Sequence, residues 1–201
     1  MQDELTASSA TFTQDRKPWI APAGARPGCR RLEGVRIVVV RHRAGSSAAR
    51  AAVTASGLAW PVATGDVAAA AAAEGLFVVR RQPEEALVIG PPVPAFDMLL
   101  AALAPGCASD AVALELSDGM VVVALEGPRL DDWLARLVDA LAIPRTPGKA
   151  TRTRLADVAV LLVRLDADRL WLVADRSLAP YLASWLAFAH DGAFASAEFT
   201  P

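Results

Sequence analysis

The chain has 201 residues, of which 54% are apolar and 21% charged, with a formal net charge of −2. A chain this long and this apolar can bury a core, which excludes intrinsic disorder, and its length fits one domain or two small ones sharing a core. Near-neutral charge and only 6% aromatic residues argue against a nucleic-acid partner, which needs a basic footprint or a stacking platform.

Residues 1–28 carry Pro18, Pro22 and Pro27 and read as an irregular arm, with Trp19 and Ile20 as its apolar contacts. The start lacks a basic segment followed by an apolar one, so it is not a signal peptide. The longest apolar run, Val67–Ala73, is far short of the roughly 20 residues of a membrane span. The expectation is a cytoplasmic chain with no membrane contact. Val35–Arg41 is short and β-branched, a strand. Ser46 or Ser47 can cap a helix running to about Ser56 and ended by Gly57. Residues 62–75 are alanine-rich and read as a helical turn or a loop. Leu76–Arg81 and Glu84–Ile89, split by Gln82–Pro83, form a hairpin, and a helix over about 94–104 follows Gly90-Pro91-Pro92.

The second half repeats this order. Ala111–Leu116 and Met120–Leu125 flank Ser117-Asp118-Gly119, a hairpin signal. Gly127-Pro128 opens a helix in which Leu130, Trp133, Leu134, Leu137 and Leu141 fall on one face, until Pro144. Residues 145–153 read as a polar basic loop. Val158–Val163 and Leu170–Val173 form a hairpin turning at Asp166–Asp168. A helix over 177–189, with Ser177 as N-cap, places Leu178, Tyr181, Leu182, Trp185 and Leu186 on one face, and a tail begins at Asp191. At an offset of 83 residues Pro61 meets Pro144, Val78 meets Leu161, Leu87 meets Leu170, Leu99 meets Leu182 and Leu103 meets Leu186. The fold expected is α+β: a strand-helix-hairpin-helix unit duplicated over about 29–106 and 110–190 of one domain (29–190), with mainly antiparallel sheets and packed helices.

Few residues suggest chemistry. Cys29 and Cys107 have no metal or redox spacing and read as buried free thiols. His42 and His190 have no HxxxH or HExxH context. Gly148-Lys149 is not a P-loop, because Ile143 and Ala150 stand where that motif needs Gly and Ser or Thr. No GxGxxG follows a strand, and no GxSxG is present. No catalytic, cofactor-binding or metal-binding residue is therefore assigned. Seven arginines between Arg26 and Arg50 face one acid, Glu33; they form a solvated face or a site for an anion or acidic partner. Arg152, Arg154 and Asp157 read as a loop ion pair or a partner contact, and Asp175-Arg176-Ser177 as a helix cap or an anion contact. Glu84-Glu85 and Asp131-Asp132 lie at a turn and a helix start. Trp133, Trp171 and Trp185 fit core positions by periodicity, with a partner interface as the alternative.

The residues from Leu114 to Pro144, and from Gly148 through Leu162 to Arg176–Leu186, resemble the gamma subunit of heterotetrameric sarcosine oxidase. Ala86–Pro91 (ALVIGP) is similar to a strand end in the first half of that family, so the resemblance covers roughly residues 34–190. The small subunit of N-methylglutamate dehydrogenase is related, as is the glycine-cleavage T-protein superfamily with its duplicated α+β fold. The resemblance implies a structural subunit that docks on the alpha subunit, beside beta and delta, in oxidative demethylation of sarcosine or another N-methyl amino acid. It implies that FAD, FMN, NAD and tetrahydrofolate lie on the other subunits and that this chain binds no cofactor. The alternative is a free-standing tetrahydrofolate-binding aminomethyltransferase-like protein. For the partner face, the 177–189 helix or the Trp171 hairpin is the expected element.

Overall fold

The structure, a computed structural model, describes residues 19–24, 26–70 and 73–194. Ten strands and four α-helices follow one another as β1 (Gly28–Arg31), β2 (Arg36–His42), α1 (Ala48–Ala55), β3 (Val67–Ala69), β4 (Phe77–Gln82), β5 (Glu85–Gly90) and α2 (Pro94–Ala102), then β6 (Ala111–Glu115), β7 (Met120–Glu126), α3 (Leu130–Leu134), β8 (Lys149–Leu155), β9 (Val158–Asp166), β10 (Arg169–Asp175) and α4 (Ala179–Phe194). They build two five-stranded antiparallel sheets, ordered β3-β4-β5-β2-β6 and β8-β9-β10-β7-β1.

Side-chain alternation along the strands explains the layering. In β2, Val38 and Val40 face the layer of α1 and α2, while Ile37 and Val39 face the other sheet. In β10, Leu170, Leu172 and Ala174 face α3 and α4, while Trp171 and Val173 point between the sheets. The molecule is thus a helix–sheet–sheet–helix stack with three apolar layers. Because both faces of the central strands are covered, they read as unbroken apolar runs rather than as alternating ones.

The two halves repeat one order of elements. The series β1-β2-α1-β3-β4-β5-α2 corresponds to β6-β7-α3-β8-β9-β10-α4, and Gly28 and Ala111, the first residues of the two series, are 83 apart. The first strand of each half pairs in the other half's sheet: β1 lies beside β7, and β6 beside β2. This exchange corrects the hairpin expected over 111–125. The turn at Ser117–Gly119 forms, with Gly119 N–H donating to Leu116 O at 3.0 Å, but its two strands diverge into different sheets.

A seam joins the sheet edges where the halves meet. Val67 N–H donates to Gly148 O (2.9 Å) and Ala150 N–H to Gly65 O (2.7 Å), a symmetric pair of bonds. Gly65 and Gly148 both have left-handed φ, +86° and +76°, where a side chain would be strained. Lys149 Nζ closes the seam on Asp66 at 2.6 Å. That bond, with the N–H of Ala63, holds the Asp66 carboxyl below its ordinary range.

Further boundaries differ from those read in the sequence. The helix expected from Gly127 to Pro144 stops at Leu134, and a separate 3-10 turn, Ala140–Ala142, is capped by Asp139, which accepts from Leu141 N–H at 2.9 Å. Asp139 favours that local bond over helix continuation, and Leu141 is left 95% exposed instead of sharing a buried face. The expected loop 145–153 contains most of β8, because its Thr and Arg residues pair with β9. Within 62–75 a short strand, β3, appears, while residues 71 and 72 lie outside the described ones. The last helix continues past Asp191 to Phe194, whose ring is buried against His190 and under the Arg129 guanidinium. Residues 1–18, most of the expected arm, and 195–201 of the expected tail lie outside the described residues. Trp19 and Ile20 pack on the core of the second sheet, and Ile20 pairs with Cys29.

Candidate interaction surface

Helix α4 is set on its sheet from its first turn. Asp175 Oδ1 accepts from Ser177 N–H (2.8 Å) and Ser177 Oγ (2.6 Å), and these bonds hold its carboxyl below the usual range. The cap is therefore Asp175 rather than Ser177, and Arg176 donates to Ser117 O at 2.7 Å, tying the helix start to the β6–β7 turn. One stripe, Leu182, Leu186, Ala189, His190 and Phe194, is buried. Trp133 Nε1 donates to Leu186 O (3.1 Å), and His190 Nε2 donates to Pro27 O (3.1 Å), so α4 is bonded to α3 and to the segment before β1.

The opposite stripe faces solvent, and the five residues expected on one face are divided between the two. Leu182 and Leu186 are core, whereas Leu178, Tyr181 and Trp185 join Phe188 outside. The three aromatic rings form a ladder, with Tyr181 and Trp185 centroids 6.2 Å apart and those of Trp185 and Phe188 5.7 Å apart, both edge-to-face. Trp185 is 37% exposed and Phe188 72%, and Tyr181 Oη donates to Ala156 O at 3.0 Å. At the positions 83 residues earlier stand Met98 and Ala102 of α2, and Pro105 beyond its end. The fold therefore does not require the ladder. A run of exposed aromatic surface beyond what folding needs is the character of a protein-binding face.

The other candidates are mostly absorbed within the chain. In the arginine strip, Arg30 pairs with Glu126 (3.1 Å), Arg31 with Glu33 (3.1 Å), and Arg36 with Glu115 (2.6 Å) and Asp97 (2.8 Å). Arg26 donates to Phe194 O, and Arg41 pairs with Glu85. Glu85 is buried between Arg41 and Arg81. Asp132 accepts from Arg129 at 2.9 Å and Asp131 from Arg164. Arg154 reaches Asp157 O at 2.8 Å across a turn in which Ala156 and Asp157 both have positive φ, while Arg152 is exposed. His42 lies edge-on to Trp60 and bonds Arg43 O, and His190 sits against Trp133. Trp171 is 6% exposed and meets Phe77 edge-to-face between the sheets, which removes it from the candidate partner face. Among the described residues no group of three or more His, Cys, Asp or Glu is placed to hold a metal.

Two features were not legible beforehand. Arg164 lies buried and bonded to three separate segments, and a cleft of about 360 Å3 opens at the end of the sandwich beside β8, lined by Arg81, Arg152, Met120, Leu161 and Val173. Nothing in their local sequence distinguishes them, since the partners of Arg164 and the walls of the cleft come from separate segments that only the folded chain brings together. The thiols also separate. Burial pushes Cys29 up to about 12, whereas Cys107 is exposed, which corrects its reading as buried. A thiol reagent at neutral pH should label one site per native chain at once, at Cys107, with Cys29 reacting only on unfolding; rapid double labelling monitored by mass would contradict this placement.

No family model matches the chain, and no curated protein matches it in sequence. Among solved structures, a chain of the heterotetrameric sarcosine oxidase from Corynebacterium sp. U-96, in complex with pyrrole 2-carboxylate, matches with a TM-score of 0.75 and 28% identity. The fold resembles that of a sarcosine oxidase subunit. The match covers 85% of this chain and 87% of that one, so the two have nearly equal length. The glycine cleavage system aminomethyltransferase T from Bartonella henselae matches with a TM-score of 0.56 and 16% identity, a likeness of fold alone. It covers 81% of this chain but 45% of that protein, so the matched part spans less than half the length of that enzyme. No helix among the described residues is long and apolar enough to cross a membrane.

Proposed function

We propose that this chain is the gamma-type, non-catalytic subunit of a heterotetrameric complex that oxidises sarcosine or a related N-methyl amino acid. The observation that carries this reading is the match, at near-equal length, to a chain of a heterotetrameric sarcosine oxidase. On this reading alpha, beta and delta subunits hold FAD, FMN, NAD and tetrahydrofolate, and this chain supplies a docking surface and binds none of them. The filled layer between its sheets supports that division of labour: Val39, Val79, Leu87, Ile89 and Trp171 occupy it. The free-standing tetrahydrofolate-binding aminomethyltransferase is the weaker reading, because the match covers only 45% of that enzyme.

The test is co-expression with the alpha, beta and delta subunits, followed by purification and assay with sarcosine and N-methylglutamate. A stoichiometric complex is expected, with substrate oxidation only when the large subunits are present. Oxidation by this chain alone with added flavin, or its tight titration by tetrahydrofolate, would refute the structural role. Trp185→Ala should weaken assembly by about 2 kcal/mol, as for an aromatic anchor at an interface centre. The same change should cost the isolated chain much less, because its ring is part exposed. Loss of stability with unchanged assembly would place the docking face elsewhere.

A further inference from the structure

The two sheets have four edges, and the chain protects three of them. β1 is paired through Cys29 with Ile20, whose N–H donates to Cys29 O at 3.1 Å and whose O accepts from Cys29 N–H at 3.0 Å. β6 is tied at Ala113, whose N–H donates to Leu103 O at 3.1 Å. β3 is only three residues long. β8 has seven residues and, among the described residues, is covered only at its start.

Ala150 N–H, taken by Gly65 O, points away from β9. By alternation the N–H and C=O of Arg152 and Arg154 point the same way, and among the described residues nothing accepts from or donates to them. Their side chains share a face with Ala150, the face between the sheets, at a point where the first sheet has run out. There Arg152 borders the cleft whose apolar walls are Met120, Leu161 and Val173. The other charges at this cleft are already engaged: Arg81 with Glu85, and Asp175 with Ser177. Among the described residues Arg152 is the guanidinium left without a partner.

An open edge can pair with any extended chain, so its charges decide which one. A second copy of this strand, laid antiparallel, would bring Arg152 and Arg154 against the same residues of its neighbour, and like charges across a ladder are destabilising. An acidic segment would be drawn instead. We propose that β8 takes up an extended, acidic segment of the partner subunit as an added strand, with a partner carboxylate on Arg152 and an apolar partner side chain in the cleft. Main-chain bonds would supply affinity, and the arginine and the cleft would supply selectivity. This inference rests on the subunit role proposed above and names one of the surfaces that role uses.

The test uses the co-expressed complex and the free chain. Hydrogen exchange at the amides of Arg152 and Arg154 should be fast in the free chain and slowed about a hundredfold or more on assembly. Arg152→Pro removes the outward N–H together with the guanidinium while sparing the ladder bonds to β9, a change edge strands tolerate, and Arg152→Glu reverses the charge while keeping the backbone. Each should weaken assembly about tenfold or more, and Arg152→Lys should retain most of it. Because Arg152→Glu leaves every ladder bond in place, it keeps the test open should the proline variant misfold. Three results would overturn the proposal: unprotected amides in an intact complex, both variants assembling like the parent chain, or self-association of the parent chain through this edge. An intact complex with an unprotected edge removes this inference alone, whereas failure of the parent chain to assemble removes the subunit role with it.

Discussion

Replacing Trp133 with alanine should destabilise the isolated chain by roughly 3–5 kcal/mol, the range for removing a large buried aromatic side chain. Trp133 is fully buried and is the largest side chain in the layer between α3, α4 and the second sheet. Its indole N–H donates to Leu186 O (3.1 Å), and its ring meets His190 edge-to-face at 5.3 Å. Truncation leaves a cavity between two helices that are tied together by few other contacts, since α3 has only five residues. His190 also loses its ring partner, and with it part of the support for its bond to Pro27 O, which anchors the segment before β1. For a chain of this size the expected fall in melting temperature is about 10 °C. Trp133→Phe keeps most of the volume but not the donor, and should recover more than half of the loss. A melting temperature within a degree or two of the parent for Trp133→Ala would show that this layer does not hold α3 in place.

Arg164→Ala should be comparably damaging, through polar groups rather than volume. The Arg164 side chain is only 2% exposed and its three bonds go to three parts of the second half. Nε donates to Pro144 O (2.8 Å), Nη1 to Ala167 O (3.1 Å), and Nη2 pairs with Asp131 on α3. Removing the guanidinium strands two carbonyls and a carboxylate that is about one-third exposed. Breaking a buried ion pair by deleting one partner costs about 3–5 kcal/mol, and the exposure of Asp131 together with the nearby Arg145, at 3.7 Å, places the expectation near the lower figure. Lysine keeps the charge but cannot form the three-way fork, so Arg164→Lys should restore only part of the stability. Chemical denaturation of the three proteins gives the comparison. Equal stability of the lysine and parent proteins would mean that charge, not fork geometry, is what the site uses.

Both effects reside in features that differ in how far they can be read from residues alone. Trp133 was legible as core, since Leu130, Trp133 and Leu134 recur at helical spacing and all three are buried. Helical spacing alone extends the stripe to Leu141, because periodicity cannot register that Asp139 caps a new turn. Arg164 was not legible. It sits in an apolar run and looks like the polar end of a strand, and two of its three partners lie 20 and 33 residues away along the chain. Tyr181, Trp185 and Phe188 were legible as an excess of aromatic area, but which of their neighbours would be buried depended on how α4 rolls on its sheet.

Chain-local physics determined the order of elements, the antiparallel hairpins β4–β5 and β9–β10, the duplication near 83 residues and the helices that cover the sheets. These depend on side-chain period and on turn residues within a few positions of one another, so neighbouring residues carry the information. Tertiary structure alone decided that β1 and β6 exchange sheets, that residues 149–155 form an open edge, and that Trp171 lies between the sheets while Trp185 lies outside. A strand's partner is chosen by competition among all apolar edges in the folded molecule. The turn at Ser117–Gly119 carries a local hairpin signal, yet β6 pairs with β2 and β7 with β10 and β1, so the pairing was decided outside the turn.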